Sequence, residues 1–212
     1  MRRIRLKEES FHEAIETAVG VLRSGGLIIY PTDTVYGLGA DAENEASVRR
    51  VYEAKGRPEE KRLTIAVSDI SMAEEYALID DIRRELMRRF LPGKVTFILK
   101  KTSRVPDIVN PVAIGIRIPN FPLVLEIIRR FGRAITATSA NRSGRPAKLD
   151  PDEAASEVEA DLILDYGVLP PSRPSTIVDL TGEVPELVRE GDVPFSLIME
   201  EFERLRRSYR WA

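Results

Sequence analysis

"STIVDLTGEVPELVRE", residues 175–190, decides what kind of sheet this chain builds. Two short runs, "STIVDL" and "PELVRE", flank Thr181-Gly182, and the pattern predicts a hairpin. A link this short joins antiparallel neighbours, because a parallel crossover needs a dozen residues or more. Elsewhere strands alternate with helices, as in α/β proteins. Together the two signals predict one α/β domain over residues 1–212 with a mixed β-sheet.

Working outward, "SFHEAIETAVGVLRSGG" reads as a helix with Ser10 as N-cap and Gly25-Gly26 as its stop. "LIIY" is a buried strand ended by Pro31. In "ENEASVRRVYEAK", Val48, Val51 and Tyr52 fall at helical spacing, and Gly56 ends the run. "LTIAV", "VTFILK", "VAIGIRIP", "RAITATSA" and "DLILDY" read as strands. Residues 71–90, "FPLVLEIIRRFG", "DPDEAASEVEA" with Asp150 as cap, and residues 194–208 read as helices. "VLPPSRPS" (168–175) holds three prolines and reads as an ordered loop.

Composition narrows the chemistry. The 212 residues, 43% hydrophobic, suffice for one sizeable core. With no cysteine there is no disulfide framework, cysteine-bound zinc or thiolate nucleophile, which suits a reducing cytoplasm. His12, the single histidine, lies on an amphipathic helix and reads as a surface residue, so a Ser-His-Asp triad or histidine metal site lacks its parts. No apolar run reaches 18 residues, so no membrane span is expected, and "MRRIRLKEES" lacks the apolar stretch of a signal peptide. Net charge is −2, yet residues 104–148 carry eight cations against two acids, and residues 149–201 fourteen acids against two arginines. The middle of the chain is the part suited to attract anions.

Four polar stretches could carry chemistry. "PTDTVYGLG" (31–39) follows a strand, where α/β sheets place ligands. Its Thr32, Thr34 and Tyr36 offer hydroxyls, and Gly37 and Gly39 let a backbone approach closely; a self-bonded turn is the alternative. "KGRPEEKR" (55–62) is either a solvated face or an anion site. "TATSANRSGRPAK" (136–148) is either a plain polar loop or a set of hydroxyls, amides and N–H groups around an anion. In "VAIGIRIP", Ala113, Gly115 and Arg117 share one strand face, with isoleucines on the other. Arg117 is there suited to fork onto a carboxylate or phosphate, or to lie on an exposed face. Neither GxxxxGK[ST] nor a GxGxxG after a strand occurs.

In order and spacing, "PTDTVYGLG", "KGRP", "SAN" with "SGRP", "STIVDLT" and the arginine of "LVREG" resemble the YrdC/TsaC family of threonylcarbamoyl-AMP synthases. The resemblance runs from about residue 10 to about 195. It implies a twisted open sheet flanked by helices, with a large concave ligand surface. It also implies a reaction: L-threonine, bicarbonate and ATP give threonylcarbamoyl-AMP and pyrophosphate. The product would feed the downstream threonylcarbamoyl-transferase machinery that modifies an adenosine of tRNA. Carried over residue by residue, Thr34, Arg117 and Ser175 would contact threonine. Lys55, Arg57, Ser139, Asn141 and Arg189 would hold ATP, with Lys55 and Arg57 at the reacting phosphates. Lys61 would join them, although many members have Asn there, and Arg62 would stay in water. Some longer members have His where Ala66 stands, and neither that side-chain contact nor the Asn contact at Lys61 carries over. Mg²⁺ is expected with the ATP. The C-terminal domain of longer members, and any lid made by the linker to it, is not expected in a chain ending at Ala212. Two rival readings follow from the same features. One is a non-catalytic module binding double-stranded RNA or tRNA; the other is a carbamoyl-transfer domain like those of hydrogenase-maturation proteins.

Overall fold

The computed structural model describes residues 1–209. In chain order its strands are β1 (Arg2–Arg5), β2 (Ile28–Tyr30), β3 (Gly37–Gly39), β4 (Thr64–Ala66), β5 (Val95–Lys100), β6 (Ala113–Arg117), β7 (Ile135–Thr136), β8 (Thr138–Ser139), β9 (Leu162–Asp165), β10 (Thr176–Asp179) and β11 (Glu186–Arg189). The helices are α1 (Phe11–Arg23), α2 (Glu45–Lys55), α3 (Ile70–Tyr76), α4 (Asp81–Phe90), α5 (Pro122–Phe131), α6 (Pro151–Glu157) and α7 (Phe195–Tyr209).

The hairpin forms as its turn residues dictate. β10 and β11 run antiparallel, pairing Val178 with Leu187 and Asp179 with Glu186, with a register shift between Ile177 and Val178. β10 then lies parallel to β5, so both pairing directions meet in one sheet. The mixed α/β arrangement holds, but the strands divide between two sheets. One has the order β1-β9-β2-β3-β8 and the other β11-β10-β5-β6-β4-β7.

The division falls inside "RAITATSA". β7 pairs with β4 in the six-stranded sheet, and β8 with β3 in the five-stranded one. Ala137 lies between them and donates its N–H to the Thr64 carbonyl at 2.7 Å. Thr136 stitches the sheets together: its hydroxyl donates to the Leu38 carbonyl and accepts from the Ala40 N–H.

Alternation decides what faces the core. In β6, Ile114 and Ile116 are fully buried against Val95, Phe97 and Val178. Burying one such side chain is worth about 1.5–3 kcal/mol. β9 is buried on both faces: Leu162 and Leu164 meet α1 and α5, while Ile163 faces the larger core.

Several local expectations need correction. β1 was not expected, since three of its four residues are arginine; its parallel pairing with β9 and the burial of Ile4 hold it. Ser10 does not cap α1. Its hydroxyl turns back to the Arg5 and Lys7 carbonyls at 2.9 Å each. Asp150 does cap α6, accepting from the N–H groups of Asp152 and Glu153. Gly37 and Gly39 do not clear room for a ligand's approach. A Cβ on either would lie 2.8 Å from the ring of Tyr30, so the absent side chains make space for that ring.

Candidate functional site

The six-stranded sheet turns its non-core face to a cleft of about 410 Å³. Strand alternation supplies the floor. Ile98, Gly115 and Thr64 form one row across β5, β6 and β4, and Ile177 pairs with Thr96 on β10 and β5. A Cβ on Gly115 would meet the Thr64 methyl at 2.8 Å, so glycine keeps this row flat. The walls come from the loops after β2, α2, β8 and before β10.

Of the side chains expected to act, Thr34, Arg57, Arg117, Ser139, Ser175 and Arg189 line this cleft together. At one end, Arg117 donates to Thr34 Oγ1 at 3.0 Å and to Asp33 Oδ1 at 2.5 Å. Thr32 keeps its hydroxyl for its own turn, bonding the Val35 carbonyl and the Thr34 N–H. Tyr36 is fully buried and bonds Gly167, away from the cleft. The self-bonded reading is therefore right for Thr32, and the ligand-facing reading suits Thr34.

Arg189 reaches across to Ser175, donating to its carbonyl at 2.8 Å and its hydroxyl at 3.2 Å. Ser175 Oγ also lies 3.1 Å from Thr96 Oγ1. Burial lowers the Arg189 pKa from the usual arginine value, and nearby Arg117 lowers it further. Desolvation lowers the Arg57 pKa likewise. Arg189 and Arg117, two cations close enough to act on each other in a partly dry cleft, favour an anionic guest.

Lys55 is not brought to the cleft wall. It is 2% exposed, and its Nζ donates to the Asn141 carbonyl at 2.7 Å and to the Ser139 carbonyl. Its own carbonyl accepts from Ser143 N at 2.8 Å. Burial pulls its pKa down to about 8, with Arg57 adding to the effect. Asn141 is buried too. Its amide donates to the Arg142 and Arg145 carbonyls, leaving Oδ1 without a partner. Lys148 and Arg145 spend their charge on Glu157, at 3.1 and 3.6 Å.

Lys61 is exposed and lies outside the cleft, whereas Arg62 lines it, the reverse of the sequence expectation. Arg57 explains this. Its guanidinium bonds the carbonyls of Lys61 and Arg62, at 2.6 and 2.8 Å, and curls the loop so that Arg62 faces inward. Asp33 and Thr96 were also missed. Thr96, a polar residue within the apolar run "VTFILK", was a readable signal; Asp33 had none beyond its place between two threonines.

The described residues contain no cluster of three His, Cys, Asp or Glu side chains arranged to hold a metal ion. Asp33, the neighbour of Thr34 in the chain, is engaged by Arg117.

The Sua5/YciO/YrdC family model, described as telomere recombination, matches residues 20–191. The chain is 39% identical over 191 residues to a putative threonylcarbamoyl-AMP synthase of Methanocaldococcus jannaschii, covering 89% of this chain and 91% of that one. It is 35% identical to the threonylcarbamoyl-AMP synthase of Pyrococcus abyssi, covering 95% of this chain. It spans only 60% of that relative's length. The structure of P. abyssi Sua5 complexed with L-threonine matches with a TM-score of 0.86 at 34% identity, over 94% of this chain and 60% of that one. Escherichia coli YciO matches with a TM-score of 0.79 at 32% identity, over 90% of this chain and 94% of that one.

Proposed function

The chain belongs to the Sua5/YciO/YrdC family, and from that membership we propose that it is an L-threonylcarbamoyladenylate synthase, a nucleotidyltransferase. The threonine ammonium and bicarbonate give an N-carboxylate, releasing water and a proton. A carboxylate oxygen attacks the α-phosphorus of ATP, the bond to the β-phosphate oxygen breaks, and pyrophosphate leaves with its electron pair.

One observation carries this reading: Thr34, Arg57, Arg117, Ser139, Ser175 and Arg189, spread over 156 positions of sequence (34 to 189), line a single cleft. No nucleophilic side chain is required. The protein must hold three anionic pieces in line and offset developing charge. Such positioning alone can supply about 7–11 kcal/mol of the barrier.

Thr34, Arg117 and Ser175 take the amino acid. Arg57, Arg62 and Ser139 take the nucleotide's phosphates. Arg189 fixes Ser175 and offers its remaining N–H donors at the junction of the two ends. Lys55 and Asn141 act through the loop they shape and touch no phosphate. The site offers no carboxylate cage for a resident metal, so Mg²⁺ would arrive on the nucleotide, and no step here runs through it. The product would pass to cytoplasmic machinery that transfers the threonylcarbamoyl group to tRNA.

The test is adenylate formation followed by mass spectrometry, omitting one substrate at a time. Product should require threonine, bicarbonate and ATP together. An unchanged yield without bicarbonate overturns the reading.

A further inference from the structure

Four arginines line the cleft, and among the described residues only Arg117 is ion-paired. Its partner Asp33 lies behind it, the two side chains being 13% and 11% exposed. Asp33 does not itself line the cleft.

The pair is poorly built for stability. Only one oxygen of Asp33 is used, and Asp33 Oδ2 and Arg117 Nε are both buried without partners. A buried pair with an unsatisfied atom on each side gains little over apolar residues of the same volume. Its consequence for the cleft is larger. Thr34 and Asp33 fix the plane of the guanidinium, while Asp33 offsets part of its charge. Arg117 therefore offers directed N–H donors with a field that Asp33 weakens, although it still reaches Arg189. Elsewhere on the lining, Arg57 bonds only carbonyls and Arg62 has no ion pair among the described residues, so both keep their charge.

A net-neutral zwitterion needs donors of fixed direction; a polyphosphate follows net charge. We propose that Asp33 is a specificity-determining residue that reserves the Arg117 end for an amino acid by keeping phosphate out of it. The identity of that amino acid as threonine rests on the function proposed above; the exclusion of phosphate does not.

The experiment is calorimetric titration of wild type and Asp33→Asn with inorganic phosphate, and with L-threonine at rising phosphate. In wild type, phosphate should leave threonine affinity unchanged. In Asp33→Asn, a second phosphate site should appear, and phosphate should weaken threonine binding roughly tenfold, or 1.4 kcal/mol. Adding Arg117→Met should abolish the second site. Phosphate competing with threonine in wild type overturns the proposal, and so does an Asp33→Asn protein that binds threonine more weakly by the same factor with and without phosphate. Asp33→Ser, which also keeps an acceptor for Arg117, repeats the comparison if Asp33→Asn folds poorly. A wild type that binds no threonine would defeat the functional reading alone, because the gained phosphate site is counted without threonine.

Discussion

The ammonium of Lys55 donates to the carbonyl of Asn141 at 2.7 Å, beneath the loop that borders the cleft. The contact places a cation where water does not reach, and burial lowers its pKa to about 8 from an ordinary 10.5. Between those values the unfolded chain holds a proton that the folded chain has lost. Stability therefore rises with pH across that window, by about 1.4 kcal/mol per unit crossed. Below pH 8 both states are charged and the cost of burial is constant. Lys55→Met has no such group. Urea unfolding at pH 7 and pH 10 should show wild type gaining on the variant, and an equal gap at both would contradict the buried cation.

Arg62 faces the cleft and Lys61 faces water. Arg62→Ala and Arg57→Ala should each remove a charge-assisted contact worth roughly 1.5–3 kcal/mol. That weakens ATP binding about ten- to a hundredfold. Lys61→Ala should change it little. Calorimetry with a non-hydrolysable ATP analogue decides, and a loss at Lys61 equal to that at Arg62 would mean a diffuse field instead of a site.

The difference between those neighbours shows where reading the sequence stopped. Alternation placed Gly115 and Arg117 on one strand face correctly, because strand geometry is local. The inward turn of Arg62 depends on Arg57 reaching carbonyls four and five residues on, which spacing does not encode. The resemblance puts Lys55 at the phosphates, and nothing local in the sequence marks its contact with the Ser139 carbonyl, 84 residues away. "RAITATSA" read as one strand because nothing local marks Ala137 as the point where the chain changes sheets. "YGLG" read as a loop because glycine is a poor strand former; only the ring of Tyr30 makes it a favourable one.

Gly191 packs against the backbone that carries Ser175. A Cβ there would overlap the Pro174 carbonyl oxygen and lie 2.5 Å from the Ser175 carbonyl carbon. Gly191→Ala must push this crossing apart and separate Ser175 from Arg189. Overpacking of this kind costs about 1–3 kcal/mol. Thermal unfolding should register that loss. Threonine affinity should fall more than ATP affinity, since the displaced residue lies at the amino-acid end. An equal fall in both would show that the crossing supports the whole cleft.

The last prediction concerns amino-acid choice. Three hydroxyls converge near Arg117: Thr34, held at 3.0 Å by the guanidinium, and Ser175 with Thr96, 3.1 Å apart. A site that hydrogen-bonds a substrate hydroxyl rejects analogues lacking it, because its own buried partners then go unsatisfied. Valine keeps threonine's shape without the hydroxyl and should be a poor substrate. Serine keeps the hydroxyl and lacks one methyl, a loss of about 1–3 kcal/mol. The expected order in kcat/KM is threonine, serine, valine. Arg117→Lys should not restore activity, since one ammonium cannot hold Thr34 and Asp33 in a plane and still present donors to a carboxylate. If valine outperforms serine, the pocket reads volume and the roles of Thr34 and Ser175 fall. The phosphate end would be untouched by that result, because Arg57 and Arg62 share no hydrogen bond with either hydroxyl.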